Sequence, residues 1–515
     1  MLCRNAVALI GAALVATVAQ AQIHQAEVTG GTIAGTNVDG LSIFQGIPFA
    51  APPVGDLRWK APQPVPPWAG VRQTIAFGAG CMQDPAVAQQ MRARVPLSED
   101  CLYLNLWTPA HSAGERLPVI VFVHGGSFNA GMPSQPLYDG ANLARKGVVF
   151  VSIAYRLGPF GFLATRDLSA ESGHGSGNYG LLDLIAGLQW VQANIGQFGG
   201  DPAKVTLLGQ SAGAYAVSML AASPLARGLF RGIIAESGAN FAPPQDKPWP
   251  GTSLKLLASA ETAGQAWLAK LGATTPAQAR ALPAEAVEAA QRAPGALQFW
   301  PPLDGYVLVG DQAQLWQQHR FNDVPILVGS NSDEDASLGT RPITPAGFES
   351  AIRQGYGVAA DAILAAYPHA DEAAARHANK QFHRDISYGW PVYSWAAHQS
   401  AEGRAKAYVY YFDRPSAGNP DGSSHGQELG LVFGAVGPTA PAADLAVSRA
   451  MQGYWINFVQ KGDPNGPGLA PWPAFAVADP HVMRIGVDQG AAPMPNGDKL
   501  KALDLYYDWR RAGSR

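Results

Sequence analysis

Cysteine is scarce, with three in 515 residues. That is too few for a disulfide-rich scaffold. No Cys/His group carries metal-ligand spacing either, so no bound metal is expected. Charge is also low: only 15% of residues are charged, and 36 basic against 39 acidic side chains leave a net charge of -3. Without a basic surface to neutralise phosphates, nucleic-acid binding is excluded. Beyond the first 21 residues no apolar run reaches about 18 residues, the length a membrane span requires. Internal repeats and long low-complexity linkers are missing too.

What the chain does have is apolar bulk. Hydrophobic residues make up 47%, enough for a sizeable core in one or two domains. The 58 glycines and 41 prolines show no period and imply many tight loops. Residues 1–21 read as an export leader. Arg4 is its only charge, the apolar run spans Ala6 to Val18, and Ala19-Gln20-Ala21 offers a small-x-small cleavage pattern before Gln22. A short leader that stays attached as an anchor is the alternative. Cleavage makes the protein secreted or periplasmic and removes Cys3. Cys81 and Cys101 then have no other partner in an oxidising compartment, so a disulfide is expected, with two buried thiols as the alternative.

Six apolar, β-branched runs read as strands: Leu117–Val123, Gly147–Ile153, Val205–Leu208, Gly232–Ala235, Val324–Val328 and Ala407–Phe412. Runs without polar alternation belong to strands buried on both faces, as a parallel sheet requires. Helical patterns lie between them. Leu181 to Ile195 carries a Leu/Ile/Val face and Asn178 is placed to cap its start; Ala212 to Ala221 follows the third strand directly. The expected fold is α/β, with a mostly parallel central sheet flanked by helices. Two Ala-rich stretches, near 243–300 and 345–399, read as helical insertions over one end of the sheet. No strand signal is visible in the first.

Gly209-Gln210-Ser211-Ala212-Gly213 sits between a strand and a helix, the context of a nucleophile elbow. Glycines suit it because the serine occupies a sharp, crowded turn. His124-Gly125-Gly126-Ser127-Phe128 follows the first predicted strand, as an oxyanion loop does. The expected donors are the backbone N–H groups of Gly126, Ser127 and Ala212, with His124 structural. A nucleophilic serine needs a base and an orienting carboxylate, in the chain order Ser, Asp/Glu, His. Seven histidines follow Ser211, and His425 stands out on a loop after the Ala407–Phe412 strand. For the carboxylate, Asp333, Glu334 and Asp335 all follow the Val324–Val328 strand, and spacing leaves the three open.

The chain resembles the type-B carboxylesterases, the family of cholinesterases and bacterial para-nitrobenzyl esterases. The likeness rests on Phe44–Pro53 with Leu57-Arg58-Trp59, Ser98–Asn105, the His124–Phe128 loop, Tyr155-Arg156 and Gly177–Asp183. It continues through Phe198-Gly199-Gly200-Asp201-Pro202, the elbow, and Gly462-Asp463-Pro464-Asn465-Gly466. The resemblance implies the α/β-hydrolase fold over residues 22–515. It makes Glu334, in the Asn-x-Asp-Glu segment, the acid, and His425, in the His-Gly-x-Glu segment, the base. It is also consistent with a Cys81–Cys101 disulfide. Three positions depart from the family pattern: Gln210 replaces a glutamate, Ser127 the fourth loop residue, and Asp335 a glycine.

The expected function is therefore an exported serine carboxylesterase that works through an acyl-enzyme on a small-molecule ester. Narrower substrates include fumonisin-type, polyester and pyrethroid-type esters. Aromatic residues near Phe128, Trp300 and Phe433 are expected to line the pocket. The alternative is a non-catalytic, cholinesterase-like binding module, which characteristically loses triad residues; this chain keeps all three.

Overall fold

The computed structural model describes residues 22–513 except 247–252, 294–296, 335–342, 417, 421, 438 and 487. The leader, residues 1–21, and Asp335 lie outside the described residues. Among those described, one sheet of 11 strands dominates. From edge to edge it runs Gly490–Pro493, His481–Ile485, Ala407–Phe412, Ile326–Asn331, Gly232–Glu236, Gly200–Gln210, Leu117–Val123, Val149–Ile153, Tyr103–Thr108, Leu41–Pro48 and Thr36–Val38. The strands from His481–Ile485 through Val149–Ile153 are all parallel. Antiparallel pairs close both edges. This is the mostly parallel sheet expected.

Alternation along each strand divides the core in two. Val119, Val121 and Val123 face one side with Val149, Val151, Leu207 and Val328, under the helices Tyr179–Asn194 and Ala212–Ala222. Ile120 and Phe122 face the other with Phe150, Leu208, Leu327 and Tyr410, under the long helix Ala442–Lys461. Both faces are dry, which is why the strands read as unbroken apolar runs.

Three readings need correction. The third predicted strand is much longer, Gly200–Gln210, and its pairing with the neighbouring strand slips between Gly200 and Val205. Asp201 and Pro202 at that irregularity hid its first half. Asn178 does hold the N-cap position, but its side chain makes no cap; Nδ2 donates to the Pro302 carbonyl instead at 2.8 Å. Residues 243–300 hold the helices Leu257–Lys270, Pro276–Arg280 and Ala284–Gln291, yet strands occur there as well. Ala242–Gln245, Ser253–Leu256 and Pro302–Leu303 form a small sheet. Such short, partly Pro-bearing strands have no periodicity to read; only their pairing defines them. Residues 345–399 hold the helices Pro345–Gly355, Ala360–Ala366, Glu372–Arg384 and the start of Trp390–Glu402.

Cys81 and Cys101 are joined in a disulfide, with Cα atoms 5.0 Å apart. Closing a loop of that size restricts the unfolded chain, so replacing both cysteines by alanine is expected to cost about 3 kcal/mol in urea unfolding. No helix among the described residues is long and apolar enough to cross a membrane.

Candidate active site

Gly200–Gln210 ends and helix Ala212–Ala222 begins on either side of one residue, Ser211. Its backbone sits at φ 56°, ψ -125°, a region that L-residues avoid unless their surroundings hold them there. The Ser211 N–H donates to the Glu236 carbonyl at 2.9 Å, and its own carbonyl accepts from Tyr215 N–H at 3.0 Å. Close backbone approach explains the flanking glycines. A Cβ on Gly213 would stand 2.0 Å from the Val123 carbonyl oxygen, and one on Gly125 would stand 2.9 Å from Ser211 Cβ. The elbow and the His124–Phe128 loop are thus packed directly against each other.

That loop turns through three consecutive positive-φ residues: Gly126 (115°), Ser127 (55°) and Phe128 (59°). The N–H groups of Gly126 and Ser127 have no backbone acceptor among the described residues. Ala212 is the first residue of its helix, where an N–H has no partner within the helix. Three free donors thus belong to the two segments that meet at Ser211, and the helix N-terminus adds positive potential there. His124 is buried, stacks on Tyr155 at 4.6 Å and bonds Gly125 carbonyl through Nδ1 at 2.8 Å. Burial lowers its pKa to about 4, so it stays neutral.

Glu334 follows the strand Ile326–Asn331 and is 0% exposed. Asn331 N–H donates to its Oε1 at 2.7 Å, and His425 Nδ1 lies 2.6 Å from Oε2. A carboxylate at Nδ1 fixes the tautomer: Nδ1 carries the proton and Nε2 keeps its lone pair. Nε2 faces the elbow, 3.4 Å from the side-chain nitrogen of Gln210, the residue before Ser211. The Tyr388 ring packs on the imidazole at 4.8 Å. Burial pulls the His425 pKa down, but the charge and hydrogen bond of Glu334, with the charge of Glu428, raise it above the ordinary histidine value. Of the other open acids, Asp333 is engaged elsewhere, with Lys380 at 2.6 Å and Asn419 at 2.8 Å.

Phe128 and Trp300 meet edge-to-face at 4.9 Å, and Trp300 also meets Tyr215, in the helix behind Ser211, at 5.8 Å. Phe433 does not join them. It is fully buried against Phe122 and Phe150 in the other core layer, so it is no part of a pocket wall. Sequence reasoning also passed over Asn331, Glu236 and Glu428. The spacing of Glu428 three residues after His425 was the available signal.

Residues 19–503 match the carboxylesterase family. The chain is 36% identical over 490 residues to the fumonisin B1 esterase of Sphingopyxis macrogoltabida, covering 91% of this chain and 88% of that protein. It is 33% identical over 513 residues to the liver carboxylesterase of Sus scrofa, covering 89% and 88%. Among solved structures, a PNB esterase superposes with a TM-score of 0.82 at 29% identity, covering 94% of this chain and 99% of the other. An α/β-hydrolase sheet with this much matched length admits one conclusion: the chain belongs to the carboxylesterase family and is a carboxylic-ester hydrolase.

Proposed function

We propose that the mature chain, residues 22–515, is an exported serine carboxylesterase whose Ser211 Oγ attacks the ester carbonyl. His425 Nε2 takes the serine proton, and Glu334 holds the ring in the right tautomer and stabilises the imidazolium. The N–H groups of Gly126, Ser127 and Ala212 bind the oxyanion. His425 then hands its proton to the departing alcohol. Water repeats the sequence on the acyl-enzyme and frees the acid. The observation that carries this reading is the 2.6 Å Nδ1–Oε2 bond, on a histidine whose other nitrogen faces the turn that bears Ser211.

Export rests on the leader, and the disulfide suits an oxidising compartment. For the substrate, the relative named fumonisin B1 esterase favours a fumonisin-type ester over polyester or pyrethroid-type esters. The test is active-site titration with para-nitrophenyl esters from acetate to palmitate, and with fumonisin B1. A stoichiometric burst, blocked by an organophosphate whose label maps to Ser211, is expected. Turnover with no label on Ser211 would overturn the assignment, and activity on simple esters without fumonisin hydrolysis would remove the narrower substrate.

A further inference from the structure

Three fully buried carboxyl groups, Glu236, Glu334 and Glu428, lie behind the elbow with a single base, His425. Glu236 ends the strand Gly232–Glu236, and its Oε1 accepts from Trp455 Nε1 at 2.6 Å. Glu428 leads into the short helix Leu429–Val432, and its Oε2 accepts from Asn331 Nδ2. The second oxygen of each, Glu236 Oε2 and Glu428 Oε1, has no hydrogen-bond partner among the described residues. The charge of Glu428 acts on Glu236, and those of Glu334 and His425 act on Glu428; Tyr138 and Tyr410 also face them, as neutral phenols. No lysine or arginine is among these neighbours. Three ionised carboxylates around one imidazole in a dry core would carry an uncompensated charge that proteins avoid by holding a proton.

The hydrogen bonds, with the backbone from His425 to Glu428, form a closed ring. The Asn331 side chain ties Glu428 to the Ser424 carbonyl (2.8 Å), and its backbone N–H holds Glu334. Glu334 holds His425, which stands three residues from Glu428 in the same loop. We propose that Glu428 is a positioning residue with a titrating role: it closes this ring around the Glu334–His425 couple, and its ionisation sets the pH at which His425 gives up its proton. The inference rests on the assignment of His425 as the base.

The electrostatics agree in sign. Burial, then the charge of Glu334, pushes Glu428 up to about 7; burial, then Glu428, pushes Glu236 well above the usual carboxyl range. An ionised Glu428 favours the imidazolium and so raises the acid limb of the pH–rate profile. Glu428→Gln keeps the acceptor for Asn331 but removes the charge. The acid limb of kcat/KM for a para-nitrophenyl ester is therefore expected to move down by roughly half to one pH unit, with KM unchanged. Stability should respond as well. A carboxyl whose folded pKa is raised binds its proton more tightly folded than unfolded, so the contribution of Glu428 to wild-type stability is lost as pH rises from about 4.3 to about 7. Glu428→Gln should flatten that fall.

Organophosphate titration of Ser211 accompanies both profiles. An unmoved or raised acid limb in Glu428→Gln, with full titration, overturns the proposal and leaves the triad reading intact. A wild-type protein that neither turns over nor titrates overturns the triad reading itself, and the proposal with it. If the variant fails to fold, the wild type carries the test by infrared spectroscopy. A band from protonated buried carboxyl groups must persist at about pH 6, above the ordinary carboxyl range, and shrink by about pH 8; its absence at the lower pH overturns the proposal.

Discussion

Ser211→Ala leaves a folded protein whose kcat on a para-nitrophenyl ester falls by roughly 10⁶-fold, with the burst phase lost. The size follows from what is removed. Alanine keeps the Cβ, so the left-handed turn at φ 56° is no more strained than before and the Glu236 and Tyr215 bonds to the backbone remain. Only Oγ goes, and with it the acyl-enzyme. The donors of Gly126, Ser127 and Ala212 still bind an oxyanion, so attack by water retains a residue of catalysis of about 10³-fold to 10⁴-fold over solution. KM should move little, because the pocket walls are untouched. Stopped-flow turnover with circular dichroism as a folding control checks both halves. Turnover within tenfold of wild type would place the nucleophile elsewhere.

Glu334→Gln is the next largest, with an expected loss of about 10⁴-fold in kcat. The Asn331 N–H, 2.7 Å from one oxygen of Glu334, can only donate, so it claims the oxygen of the new amide. The amide NH₂ then faces His425 Nδ1, which must become an acceptor. The imidazole proton moves to Nε2, the nitrogen that has to receive the serine proton, and the base is disabled. Glu334→Asp keeps the charge on a shorter arm and should lose far less. Steady-state kinetics on the pair, with KM as the control for an intact pocket, separate tautomer from charge. Equal activity of the glutamine variant and wild type would remove Glu334 from the triad.

Much of this was readable along the chain. The elbow announces itself because a serine between a strand and a helix needs small neighbours, and those demands are local. The strands from Leu117–Val123 to Ala407–Phe412 were readable because burial on both faces removes polar alternation. The small sheet at Ala242–Gln245, Ser253–Leu256 and Pro302–Leu303 was not, since short segments are strands only through their partners. Phe128, Trp300 and Phe433 looked alike as aromatics near loops; only the layer each occupies separates them.

By itself, then, the sequence determined the fold class, the place of Ser211 at the turn between a strand and a helix, the tight His124–Phe128 loop beside it, and the histidine proposed here as the base, because turn geometry and two-sided burial are imposed over a few residues. Tertiary structure decided which acid meets the histidine. Asp333 and Glu334 are neighbours in sequence, yet one turns to Lys380 and the other to His425. It also closed Asn331, Glu334, His425 and Glu428 into one buried ring and set Glu236 beside it. Residues so far apart in the chain meet through the order and register of parallel strands, which no local pattern records.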